Sequence, residues 1–191
     1  MSLEIIGRVG AKTYAMAVDS QGRASVSAAS EPEDRHINQT SGKVWSVNYT
    51  ALAVNAGVYG LYVKNTGTKH LHITDLRNHC RDAASEIEVD YVSGTAAGTA
   101  ATDTTISRNA GTDATPSADI FETSAATGIT GLTDEGRFFS AGSLDSQTTH
   151  LSTSSNIIIG PGTACAVKWV TANATNGVTG TLSIVEVEHE S

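Results

Sequence analysis

The 191-residue sequence predicts an all-β fold: a jelly-roll-like antiparallel β-sandwich with an extended N-terminal arm. Short segments rich in β-branched and aromatic residues recur at about 8–12-residue spacing, which is typical of sandwiches and barrels. About eight such segments follow residue 43, which is the strand number of a jelly roll. The apolar fraction of 39% is modest, so we expect short strands and a thin core.

Residues 58–92 hold three candidate strands, at 58–63, 71–76 and 86–91. Asn and Gly in the segment 65–67 tolerate positive φ, so a hairpin is expected between the first two strands. In the third strand, charged and apolar residues alternate, so one face is expected to meet the core and the other to meet water. We therefore expect these strands to form the middle of one antiparallel sheet, with a bend or bulge before the third.

The rest of the body, residues 44–191, is predicted from similar patterns. Residues 93–119 carry few bulky apolar side chains, so they are expected to leave the sandwich as a long excursion. Within it, residues 104–108 are a candidate edge strand. The other candidate strands lie at 43–49, 137–140, 150–159, 164–170 and 180–188.

Residues 1–43 contain too few large apolar residues to build a core, so we interpret them as an arm. A hairpin over residues 14–27 is possible, although a lone two-stranded hairpin is only marginally stable in water. We expect the arm to become ordered against another molecule. Its basic residues contrast with an acidic body, which makes a neighbouring copy a candidate partner. The predicted interface residues are Ile5, Ile6, Arg8, Lys12, Tyr14 and Arg23.

Charge and hydropathy argue against several classes of partner. The net charge is −8 and the pI is about 5.1, whereas nucleic-acid binding calls for a clustered basic face. No apolar run approaches the roughly 18–20 residues of a membrane span, and no signal peptide is visible. Without a secretory signal, reduced and buried thiols are favoured for Cys80 and Cys165 over a disulfide.

Two patterns raise the possibility of a metal site. His70 and His72 share one strand face, but no third ligand follows at tight spacing, so a solvated polar face is the favoured interpretation. Acidic residues alternate at 86–90 and again at 186–190. These stripes could bind Ca²⁺ if they met, but we expect them to lie apart, facing water or the basic arm of a neighbour. The sequence therefore predicts no metal and no other cofactor.

Enzymatic and sugar-binding sites are also weakly indicated. Asp145, Ser146 and His150 lie close in sequence, but there is no nucleophile elbow, so no catalytic residue and no enzyme activity are predicted. Six aromatic residues could line a sugar-binding surface, although aromatic residues in strands are more often core or interface residues. They are Trp45, Tyr49, Tyr59, Tyr62, Tyr91 and Trp169.

Three segments, residues 61–73, 154–164 and 180–187, resemble small virion proteins of tailed bacteriophages. The resemblance implies a sandwich that decorates or cements the capsid, commonly as a homotrimer, with an arm that reaches onto neighbouring major capsid proteins. It also implies a place on the capsid surface of the virion after synthesis in the host cytoplasm. The alternative is a receptor- or carbohydrate-binding module of a head fibre or tail tip.

Overall fold

The computed structural model describes residues 5–9, 12–16, 33–51, 55–80, 85–100, 105–111, 114–123, 127–143, 148–171 and 178–187. The chain forms two compact units, residues 1–32 and 33–191. The second unit consists of two antiparallel sheets that pack as a sandwich, which confirms the predicted all-β class.

The first unit contains an antiparallel pair of strands, β1 (Ile5–Val9) and β2 (Lys12–Met16). In its register Tyr14 lies opposite Gly7, and Arg8 lies opposite Thr13. Only two residues separate the strands in the sequence, which is the length of the commonest hairpin connections. This hairpin is not the one expected over residues 14–27, because Tyr14 pairs with the preceding segment. Residues 17–32 lie outside the described part of the chain.

The described residues of the second unit form one helix and eleven strands. They are α1 (Glu33–Ser41), β3 (Val44–Ala51), β4 (Val58–Asn65), β5 (His70–Cys80), β6 (Ser85–Ala97), β7 (Thr99–Ala100), β8 (Thr105–Ser107), β9 (Ala118–Glu122), β10 (Thr130–Ser143), β11 (Thr148–Ile159), β12 (Ala164–Trp169) and β13 (Val178–Val187).

The eight longest strands pair in a nested order. The first pairs with the last, β3 with β13, and then β4 pairs with β12, β5 with β11 and β6 with β10. The sheet orders are β11-β5-β13-β3-β8 and β10-β6-β12-β4-β9-β7. Such an arrangement is a long hairpin rolled into two sheets, which is the jelly roll that the strand count predicted.

The predicted hairpin between the first two strands of the central block is wrong. β4 and β5 belong to opposite sheets, and β12 separates β4 from β6. Buried Asn65 holds the crossing, because its Nδ2 donates to the carbonyls of Lys69 and Ile159 at 2.6 and 2.9 Å. Its Oδ1 accepts from the Gly67 amide at 3.0 Å. The turn residues therefore form a connection between sheets instead of a tight hairpin.

The predicted 93–119 excursion is wrong at its start, because residues 93–97 continue β6 and pair with β10. The strands that follow, β7, β8 and β9, extend the opposite side of the sandwich. β8 pairs with β3, which confirms the predicted edge strand, and β9 and β7 extend the other sheet beyond β4. Trp45 is buried, and its Nε1–H donates to the carbonyl of Ala114 at 2.8 Å. This bond ties the excursion to the body.

The helix α1 lies in the second unit, although the sequence assigned these residues to the arm. The sequence places acidic Glu33 and Asp34 in its first turn, where negative charge interacts favourably with the helix dipole. Gly42, which follows its last residue, has a φ of 66°, as is common after a helix end. Ile37 packs against a small apolar cluster on the outside of the five-stranded sheet. That cluster consists of Val44, Val185 and Val187.

The main core lies between the sheets and contains the inward residues of both, including Leu61, Leu71, Val89, Val167 and Leu182. Trp169 is its largest member and meets Tyr49 edge to face, with ring centroids 5.9 Å apart. Gly60 makes room for this indole, since a Cβ there would lie 1.3 Å from Trp169 Cζ3. The core is therefore closely fitted around one aromatic pair.

One extra residue in β5 explains the irregular spacing of its apolar residues. Ile73 lies opposite Ile184, but Asp75 lies opposite Ser183, so Thr74 forms a bulge. The bulge restores the inward direction at Leu76, which is buried.

Cys165 is buried in the core and forms no disulfide, and burial raises the pKa of its thiol to about 12. The thiol is therefore protonated and unreactive at neutral pH. The side chain of Cys80 lies outside the described part of the structure.

Candidate functional site

The outer face of the six-stranded sheet carries a cluster of charged side chains on β6, β10 and β12. The register places Glu88 opposite Lys168 of β12, and Asp90 opposite Arg137 of β10. Glu88 and Asp90 are only 2% and 0% exposed. The expectation that this face of β6 meets water is therefore wrong, because neighbouring strands supply partners that cover both carboxylates.

Lys168 is the centre of this charged cluster. Its Nζ lies 3.3 Å from Asp134 Oδ2, 3.4 Å from Glu88 Oε2 and 3.6 Å from Asp90 Oδ2. Arg137 also pairs with Glu88, and Tyr59 donates its hydroxyl to Asp90 at 3.3 Å. Three carboxylates and two cations give the cluster a net charge of −1 when all are ionised. The ammonium thus occupies the position between carboxylates where a bound cation would lie.

Proton affinities within the charged cluster follow from this crowding. Burial, and then the nearby charge of Asp134, raise the pKa of Asp90. Burial alone would lower the pKa of Lys168, but its hydrogen bond to Asp134 and the charge of Asp90 raise it overall. Burial and Asp90 also raise the pKa of the Tyr59 hydroxyl. The amine therefore stays charged at neutral pH, and the cluster is suited to joining three strands.

A second feature is an apolar groove at the opposite side of the sandwich from β7, β8 and β9. We call it the edge groove, and it has a volume of about 320 Å³. Tyr91, Phe138 and Ile158 are 38%, 48% and 41% exposed and line it. They are three of the four large apolar side chains that are exposed in the described part of the chain. The rings of Tyr91 and Phe138 pack together with centroids 6.1 Å apart.

The edge groove lies where the two sheets end. β10 and β11 are the outermost strands there, and no further strand pairs with them among the described residues. Both strands contain register shifts, three in β10 and one in β11. Because such bulges hinder the direct addition of another strand, contacts at this side are expected to be made by side chains.

The predicted interface residues of the arm are brought together only in part. Ile5, Ile6 and Arg8 lie on β1, Lys12 and Tyr14 lie on β2, and the strands pair with each other. Arg23 lies outside the described residues. Sequence reasoning named Tyr91 as a candidate surface residue but missed Phe138 and Ile158, because the three are far apart in the chain and no local pattern connects them.

The other sequence candidates separate in the structure. Glu186, the described member of the second acidic stripe, lies in the other sheet from Glu86, Glu88 and Asp90, and it is buried and pairs with Lys43 at 2.8 Å. Glu188 and Glu190 lie outside the described residues. In the described residues, no group of three or more His, Cys, Asp or Glu side chains is placed to hold a metal ion. Asp145 and Ser146 lie outside the described part of the chain.

Most of the aromatic residues considered for sugar binding are core residues. Trp45, Tyr49, Tyr62 and Trp169 are buried, whereas Tyr91 is exposed in the edge groove. A polar groove of about 360 Å³ lies instead on the five-stranded sheet. It is lined by Asn48, Tyr49, Arg77, Asn78, His79, Thr179, Gly180 and Thr181.

Comparisons with known proteins identify no family and no structural neighbour. No protein-family model matches the sequence, and no curated protein or solved structure matches it. Within the described residues, no helix is long and apolar enough to cross a membrane.

Proposed function

We propose that the protein is a structural virion subunit that decorates the capsid of a tailed bacteriophage and bridges neighbouring major capsid proteins. The resemblance of the three sequence segments suggests this class. The structural observation that supports an adhesive role best is the edge groove, with its three exposed apolar side chains. Exposed apolar surface of this kind commonly marks a protein–protein contact.

The strength expected of the groove favours binding by several copies together. Complete burial of a large apolar side chain contributes about 1.5–3 kcal/mol, and these three are already more than half buried. The groove would therefore contribute roughly 2–4 kcal/mol, which corresponds to a dissociation constant of about 1 mM or weaker before ordering costs. An oligomer that presents several copies to the capsid at once raises the effective affinity by a factor of about 10²–10⁴.

The charged cluster contributes rigidity to this surface. Lys168 and Arg137 connect β12 and β10 to the carboxylates of β6. Because β10 carries Phe138, these ion pairs hold one wall of the edge groove in place. A preformed wall lowers the ordering cost of binding.

The test is co-sedimentation of the purified protein with DNA-free capsids of the phage that encodes it. We expect saturable binding at a fixed number of copies per capsid, and binding weakened at least tenfold by Phe138→Asp. Ile106→Asp is the matched control, since Ile106 is 55% exposed on β8 at the other side of the sandwich. Wild-type protein that stays in the supernatant at all concentrations would contradict the proposal.

The second candidate is a receptor- or carbohydrate-binding module. The polar groove favours it, because Asn48, Arg77 and Thr181 offer the amide, guanidinium and hydroxyl groups that hydrogen-bond sugars. Its one aromatic residue, Tyr49, is buried and provides no stacking platform. Binding on a glycan array that is lost with Asn48→Ala and retained with Phe138→Asp would favour this candidate over capsid decoration.

A further inference from the structure

We propose that the edge groove of one copy binds the N-terminal hairpin, β1 and β2, of a neighbouring copy. This contact would make the protein self-associate without any capsid protein. The inference rests on the proposed function and gives the groove its role within it: a groove filled by a neighbouring hairpin holds the copies together, and Phe138→Asp weakens capsid binding because the copies then bind singly. Self-association is measured on the protein alone, so its failure and the failure of capsid binding are distinguishable.

The hairpin requires a partner to be stable. Its strands are five residues each, and a single two-stranded hairpin is marginal in water. Its sequence nevertheless includes Ile5, Ile6, Val9, Tyr14 and Met16. This apolar content is high for a segment whose two short strands cannot enclose a core of their own.

Charge supports the choice of a second copy as the partner. Residues 5–16 contain Arg8 and Lys12 and no acidic residue, which gives +2. Residues 1–32 contain three basic and three acidic residues, so the second unit carries the whole net charge of −8. β10, which forms one wall of the groove, carries exposed Asp134 and Glu135 together with exposed Arg137, and Asp134 is paired with Lys168. The charge complementarity is therefore one between the basic hairpin and the acidic second unit as a whole.

Chain length permits the contact between copies. Sixteen residues, 17–32, separate β2 from α1, and a fully extended segment of that length spans at most about 50–58 Å. A hairpin that binds a groove on the next copy makes a head-to-tail contact. Such contacts generate closed rings when the rotation closes. A trimer, which the phage resemblance suggests, is one such ring.

The experiment uses full-length protein and light scattering coupled to size exclusion. The groove variant is Phe138→Asp, and the hairpin variant is Arg8→Glu with Lys12→Glu. We expect wild-type protein to associate and each variant alone to run near 19.8 kDa. Ile106→Asp should associate like wild type. Circular dichroism of each variant verifies that the β fold is retained, and Ile158→Asp replaces Phe138→Asp if that variant fails to fold.

Mixing the two variants is the decisive step. The groove variant keeps an intact hairpin and the hairpin variant keeps an intact groove, so one contact can form between them. Because one groove contact is weak, the mixture is measured by static light scattering at protein concentrations of about 1 mM, where we expect the average mass to rise above 19.8 kDa towards that of a 1:1 pair, twice the chain mass. A wild-type monomer at all concentrations, a hairpin variant that associates normally, or a mixture that remains monomeric would each overturn the inference.

Discussion

The charged cluster makes a specific prediction for Lys168→Met. Methionine keeps most of the aliphatic length of lysine but removes the ammonium that contacts Glu88, Asp90 and Asp134. Glu88 keeps its pairing with Arg137. Asp90 keeps only the hydroxyl of Tyr59 among its described side-chain partners, and its Oδ1 is buried without a hydrogen-bond partner. The variant therefore leaves a buried carboxylate without a cation.

The magnitude follows from this burial. Removing one partner of a fully buried ion pair typically destabilises a protein by about 3–5 kcal/mol. Lys168 is 21% exposed in its side chain, so water can partly replace it, and we expect a loss of about 2–3 kcal/mol. The matched control is Arg77→Met, which removes an exposed ion pair with Asp75. That change should lower the free energy of unfolding by less than about 1 kcal/mol.

The assay is urea denaturation followed by circular dichroism at several pH values. In Lys168→Met the folded-state pKa of Asp90 lies above its unfolded value, so the native state binds more protons in that window. The stability deficit should therefore shrink as pH falls towards the pKa of Asp90, and adding Asp90→Asn should relieve part of it at pH 7. Equal losses for Lys168→Met and Arg77→Met, or a deficit independent of pH, would refute the reasoning.

Three further predictions concern the fold. Asn65→Ala removes three hydrogen bonds, one of them to the buried carbonyl of Ile159, so urea denaturation should show a loss of about 2–4 kcal/mol. Gly60→Ala forces the Trp169 ring to move, and we expect a loss of at least about 1–3 kcal/mol, with altered near-UV circular dichroism. Stability should fall as pH rises above about 9, because the unfolded chain loses protons that folded Cys165, Tyr59 and Lys168 retain at their raised pKa values. Thermal melts across pH 8–11 measure this, and a melting temperature that does not change would contradict it.

The sequence predicted the strands better than it predicted their arrangement. Alternation and β-branched content are local properties. They predicted both ends of β3, β4, β12 and β13 to within two residues. The assignment of strands to sheets depends on distant residues. Asn65 illustrates the difference, because it suits a hairpin turn locally, whereas its side chain bonds to the carbonyl of Ile159 from another part of the chain.

The charged alternation of β6 shows a second limit. Period two correctly separated the core residues Ile87 and Val89 from Glu88 and Asp90. It could not show that Lys168 comes to lie beside the two carboxylates, since strand pairing decides this over a long sequence separation. A charged face was therefore interpreted as a solvated one, although the fold supplies its counterions.

The position of the edge groove follows from an asymmetry in the connections of the jelly roll. The long excursion between β6 and β10 returns across one side and adds β7, β8 and β9 to the sheet edges there. No comparable described segment covers β10 and β11, so the side chains between these strands remain exposed. The bulges of both strands hinder pairing of the edges with other chains, which protects against indiscriminate aggregation. Under the proposed function, binding at this side then depends on an apolar groove, and such a surface selects its partner by shape.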